Sequence, residues 1–258
     1  MTSPVSAIVV PTLGLRSEFL IQCLRSIRQS GNAHICIVSP DPNQVEHFRE
    51  EGLMDQYVRD TSEGLPAAIN NGIICLPDQI EFVNWLGDDD LLQENSLNSM
   101  QIFLEENPHI GMVFGKCSYI DEQGNQIWTN KSGQWACSIL PFGPCLVPQP
   151  GALFRRSVFN SAGGLNTKLK WAFDLDLFIR FKEISKVKYL PIEAASFRWH
   201  PDSLSVGLRK GSVNEASRVR QAHLPRVLQK LSFIWELPIR RATYVAGIKL
   251  SSRKASES

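Results

Sequence analysis

Val83–Leu92 reads VNWLGDDDLL. An apolar run closing on Trp85 and Leu86 meets Gly87, and then Asp88, Asp89 and Asp90 stand side by side before the chain turns apolar again. Adjacent carboxylates repel one another, so a cation or a helix end is expected beside them. Asp90 alone could cap the helix whose pattern begins near Gln93 and runs through Leu97, Met100, Phe103 and Leu104. A cap uses one side-chain oxygen, which leaves two carboxylates unexplained. A divalent metal ion with phosphate oxygens on its far side answers the repulsion of all three, because hard cations take carboxylate ligands and keep positions open for phosphates.

Outward from that stretch, the first half of the chain alternates two periodicities. Val5–Val10 (VSAIVV), His34–Val38 (HICIV), Tyr57–Arg59 and Ile80–Leu86 read as strands, the first stopped by Pro11 and the second by Ser39-Pro40-Asp41-Pro42. Between them Ser17–Gln29 carries Phe19, Leu20, Cys23, Leu24 and Ile27 at helical spacing, Asn43–Glu51 reads as a short helix, and Leu65–Cys75 as another. Strand and helix in alternation predict an α/β fold, a Rossmann-like sandwich whose central sheet is mainly parallel and flanked by helices. Ligands of such sheets sit beyond the carboxyl ends of the strands, which is where the three aspartates fall.

The second half changes character. Gly111–Tyr119 and Gln126–Thr129 read as strands, and Trp135–Pro150 as a proline-rich loop. Asp174–Lys182 reads as a helix, apolar enough to be buried nearly all round, with Asp174 and Asp176 in a first turn where the helix dipole favours negative charge. Val187–Pro191 and Ala194–Trp199 read as two last strands.

With 258 residues and a formal net charge of +1, the chain is long enough for a sizeable core and gives no global signal for nucleic acid. Its six cysteines form no C-x-x-C pair and most lie in apolar runs, which predicts reduced, buried thiols and a cytoplasmic setting. The opening MTSPVSAIVVPT lacks the basic start of a signal peptide, and no apolar run approaches 18 residues. Charge is uneven, however: from Arg209 onward basic residues far outnumber the acids Glu215, Glu236 and Glu257.

Taken in order, the opening strand with Pro11-Thr12, the segment EGLPAAINNGI, the strand ending WLGDDDLL, then GALFRRSVFNSAGGLN, FDLDLFIRF and FRWHPDSLS resemble the family 2 glycosyltransferases, which have the GT-A fold. The resemblance spans about Val5 to Ser205. It implies a GT-A domain over 1–208, with a nucleotide-sugar half at about 1–110 and an acceptor half at about 111–208, followed by a basic helical extension at 209–258. It also implies an inverting enzyme that moves a sugar from a nucleoside-diphosphate sugar to the hydroxyl of a glycan or lipid-linked acceptor, by default in surface polysaccharide or glycolipid synthesis. Mn²⁺ or Mg²⁺ would sit on Asp89 with Asp88 or Asp90, and with His200. Gly87 departs from the pattern, standing where the motif's opening aspartate belongs.

Asp174 takes the place of the base that removes the acceptor proton, with Phe173 where a glutamate usually precedes it; Asp176 is the second choice of base, and capping of its own helix is the bland reading of Asp174. Pro11, Thr12, Asp41, Gly64, Asn70, Asp88 and Arg198 fall at nucleotide-sugar positions, and Gly151, Ala152 and Trp171 on the acceptor side. Two other classes stay open on the residues themselves: a protein of this fold that binds nucleotide sugar without transferring it, and an aspartate-dependent phosphatase. The tail after Ser217 reads either as an amphipathic helix pair packed on the core or as an element that lies peripherally on anionic lipid at the inner face of a membrane.

Overall fold

The computed structural model describes residues 3–130, 132–199, 209–232, 234–243 and 245. Its strands are β1 (Ser6–Pro11), β2 (Ala33–Ser39), β3 (Gln56–Arg59), β4 (Phe82–Trp85), β5 (Leu91–Leu92), β6 (Ile110–Ile120), β7 (Gln126–Asn130), β8 (Ala152–Arg155) and β9 (Lys186–Arg198). The helices are α1 (Ser17–Ser30), α2 (His47–Glu50), α3 (Leu65–Ile74), α4 (Ser96–Glu106), α5 (Trp135–Ile139), α6 (Arg156–Ser161), α7 (Phe173–Ile184), α8 (Arg209–His223) and α9 (Arg226–Leu231). One sheet runs β3-β2-β1-β4-β8-β6-β9-β5, with β7 paired to the flank of β6.

The sheet is mixed. Strands β3, β2, β1 and β4 are mutually parallel, as the alternating pattern requires, whereas β8 is antiparallel to both β4 and β6. β6 and β9 are parallel, and β5 returns antiparallel to β9. Alternation along β1 sends Ala7 and Val9 to one face with Ile69, Ile73, Phe178 and Phe181, and Ile8 and Val10 to the other with Leu20, Leu24, Met100 and Leu104. So α3 and α7 cover one face, and α1 and α4 the other. Gly72 lets α3 sit directly on the sheet: a Cβ there would lie 2.5 Å from Val9 Cγ1 and 2.8 Å from Val38 Cγ2.

Three sequence expectations need correction. Val187–Pro191 and Ala194–Trp199 are one strand, β9, which crosses a register irregularity opposite Phe114 and Lys116; Pro191 sits in that irregularity, where its missing N–H costs no ladder bond. The loop expected over Trp135–Pro150 contains α5. The helix after the aspartates begins at Ser96 behind Asn95, so Asp90 does not cap it. All six cysteines are free, and only Cys75 is exposed. Among the described residues no helix is long and apolar enough to cross a membrane.

Candidate active site

Because β1, β3 and β4 are parallel, their carboxyl ends meet on one edge, and a cavity of about 830 Å³ opens there. Pro11, Thr12, Gly64, Asp88, Asp89 and Asp90 line it from the strand ends. Trp171 and Asp174 line it from the start of α7. The same space therefore takes in both of the carboxylate groups singled out in the sequence.

The aspartates form a tight turn, with the Asp90 N–H donating to Gly87 O. Gly87 is what that turn needs, since a Cβ there would lie 2.9 Å from Asp89 Oδ1 and 3.1 Å from Asp90 Oδ2. The cation demanded by the charge is Arg16, just before α1: its guanidinium reaches Asp88 Oδ1 at 2.6 Å and Asp89 Oδ2 at 2.9 Å. Thr12 donates to the second oxygen of Asp88 at 2.7 Å. Burial still raises the Asp88 pKa, with Thr12 and Arg16 acting against it. Asp90 accepts the Arg198 N–H at 2.9 Å through one of its oxygens. Burial first, then the charge of Asp89, pushes its carboxyl well above the usual range. All three carboxylates line the cavity, Asp88 and Asp89 tied to Arg16 and Asp90 to the Arg198 main chain, and among the described residues no three acidic, histidine or cysteine side chains converge as a ready-made metal cage.

Asp174, in the first turn of α7, is half-buried; one of its oxygens accepts the Leu175 N–H of that same turn at 2.7 Å, so the side chain serves the helix start as well as lining the cavity. Glu215 of α8, itself buried, ties down the approach to α7: it accepts the main-chain N–H groups of Lys170 at 3.0 Å, Trp171 at 2.6 Å and Ala172 at 2.8 Å, placing a negative charge near the helix start, where the dipole favours one. Burial pushes the Asp174 pKa up to about 6. Asp176, two residues on, faces away. It bonds Arg180 at 2.6 Å and His223 at 2.9 Å, and although burial acts upward, these partners hold its pKa below the usual value.

Several other sequence candidates turn out to be structural. Arg198 is fully buried: its guanidinium donates to the carbonyls of Asp89, Asp121 and Glu122 and to Gln22, and stacks over Phe19 at 4.4 Å. That leaves it no reach to a phosphate. Asn70 clamps both the N–H and the carbonyl of Leu165. Asp41 caps a short 3₁₀ turn by accepting from Asn43. Gly151 immediately precedes β8 and lies close against Ala194, and Ala152 is the first residue of that strand; neither is among the residues lining the cavity. His200 lies outside the described residues.

The sequence reading missed Arg16, Asp60 and the part that α8 takes in the cavity wall. Asp60 follows β3 into the cavity, and Ser212, Val213, Ala216 and Arg220 of α8 form part of its wall. Helix α8 of the basic extension thus contributes to the cavity wall. Arg220 is held there by a buried pair with Glu236, which also takes a bond from Ser217.

No protein-family profile matches the chain. A curated protein of Rickettsia bellii, described as an uncharacterized glycosyltransferase, is 24% identical over 168 residues, covering 59% of this chain and 24% of the relative. The chain thus spans about a quarter of that relative's length. Among solved structures, S. aureus TarS superposes with a TM-score of 0.62 at 13% identity over 89% of this chain and 42% of its own. The TarS fragment 1–349 in complex with UDP gives the same score and identity over 69% of its length. The mannosyltransferase PcManGT from Pyrobaculum calidifontis, in complex with GDP-Man and Mn²⁺, has a TM-score of 0.64 at 15% identity over 100% of this chain and 80% of its own. The chain has the α/β fold of these proteins.

Proposed function

We propose that this chain is an inverting glycosyltransferase that takes a sugar from a nucleoside diphosphate and passes it to an acceptor hydroxyl. One observation carries the reading: a single cavity at the carboxyl edge of the sheet takes in both the acidic turn after β4 and the half-buried carboxylate of Asp174. Asp174 accepts the acceptor's proton. The acceptor oxygen then bonds to the anomeric carbon as the bond to the diphosphate breaks, and that carbon inverts. A pKa near 6 keeps Asp174 ionised at neutral pH yet basic enough to take a proton in the transition state. The weak sequence likeness to a glycosyltransferase and the shared fold with proteins solved with UDP and with GDP-Man and Mn²⁺ support the same reading.

Asp88 and Asp89 fit a hard divalent cation, Mn²⁺ or Mg²⁺. They would supply two carboxylates to such an ion, whose remaining positions would be open to phosphate oxygens and water. When bound, such an ion neutralises charge on the departing diphosphate. Arg16 holds the same oxygens, so the guanidinium and the metal compete for them. Mn²⁺ alone is expected to bind Arg16→Gln several-fold more tightly than the unaltered chain in titration calorimetry. Equal or weaker binding would mean that the two cations do not share a seat.

The reading is tested by thermal shift with UDP, GDP, dTDP and CDP, each with and without Mn²⁺. A ligand at about a hundred times its dissociation constant adds about 2.7 kcal/mol. A midpoint rise that requires one nucleotide together with Mn²⁺, and that Asp89→Ala abolishes, is the expected outcome; flat midpoints throughout the panel would remove the nucleotide site.

A further inference from the structure

The tail that walls the cavity also presents an outer face with an unusual make-up. Val227, Leu231, Ile234 and Leu237, in steps of four, three and three, are exposed by 72%, 44%, 59% and 57%. Ser232 and Glu236, four apart, are buried, so they mark the inward side of the same stretch. Phe142, exposed by 42%, packs edge-on against Trp235 and widens the apolar surface. Four aliphatic side chains in succession at this exposure are more than the scattered apolar residues of an ordinary surface.

The charges that the tail itself exposes are of one sign. Arg218, Arg226, Lys230, Arg240 and Arg241 are exposed, whereas Glu215 and Glu236, the only acids in 209–245, are buried and consumed by main-chain N–H groups and by Arg220. Within the tail, folding has buried both negative charges and left the positive ones exposed; an exposed acid beside it is Glu183 of α7, 3.8 Å from His223. An apolar stripe on a segment whose own exposed charges are all cations matches a surface that is greasy inside and negative at its rim.

We infer that this face docks on a bilayer of anionic lipid. The aliphatic side chains enter the acyl boundary while the arginines and Lys230 stay among the head groups, with the cavity-lining side of α8 left facing the protein. This docking goes beyond the sugar-transfer reading and does not depend on it.

Flotation of the full chain with vesicles of phosphatidylcholine, with and without phosphatidylglycerol, tests the proposal. Binding is expected only when phosphatidylglycerol is present, and it should be lost in about 1 M salt, where the Debye length falls to about 3 Å. Lys230→Gln is expected to weaken partition about fivefold, the effect of one cation near a charged surface. Leu231→Glu with Ile234→Glu should abolish it, and both changes fall at exposed positions, so the melting midpoint should stay in place. Failure to float with phosphatidylglycerol, or binding that the double variant leaves intact, would overturn the inference. So would light scattering that finds a dimer without lipid and a monomer in the double variant, since a second copy would then cover the face.

Discussion

Asp174→Asn is expected to lose about 10²- to 10⁴-fold in turnover while nucleotide binding and KM for the donor change little, because a positioned base acts in the transition state and contributes in that range. The amide keeps the oxygen that accepts from Leu175 N–H, so the start of α7 is preserved and the loss reads out proton transfer. In the unaltered chain, turnover should rise as pH climbs through about 6 and then level off, since only the carboxylate can take the proton. Stability should move the opposite way. The folded pKa is raised above the unfolded value of about 3.9, so the contribution is whole below that value and is lost as pH rises through about 6. Asn carries no such penalty, and the variant should therefore melt higher than the parent at pH 8, a gain that disappears at acid pH. Full turnover in Asp174→Asn would assign the base to another group.

Arg220→Ala and Glu236→Ala are each expected to destabilise the chain by about 3–5 kcal/mol in denaturant melts, because each leaves an unpaired charge in the interior. Both partners are almost completely buried and joined at 2.7 Å. Replacing both with leucine should cost less than either single change, since no charge is then stranded. A loss below about 1 kcal/mol in the single variants would mean that the tail unfolds apart from the sheet. The measurement therefore reports directly on whether residues after Arg209 belong to the domain.

The parallel half of the sheet was legible because VSAIVV, HICIV and IEFVNWL are apolar runs bounded by turn residues. The antiparallel half was not: β8 is four residues between a glycine and a second arginine, and Pro191 reads as a strand end although β9 runs through it. Charge repulsion called for a cation at the acidic turn but could not name it, because Arg16 lies 72 residues before Asp88 and belongs to no pattern. Arg198 and Asn70 sat at ligand positions by resemblance, yet only the fold shows their donors already taken by main-chain carbonyls. The pairing of Arg220 with Glu236 is equally silent in the sequence, where the tail shows only its excess of positive charge.

The place of β9 between β6 and β5 bears on how the chain comes to exist. The parallel half can form from neighbouring segments, but Asp90 finds its main-chain partner 108 residues later, at Arg198. A chain made from its amino end therefore carries an acidic turn without its partner, and β5 and one edge of β6 without theirs, until β9 emerges. Pairings this distant in sequence are slow, so the arrival of β9 should set the pace of maturation, and a nascent or truncated chain ending before β9 should be the species that chaperones meet.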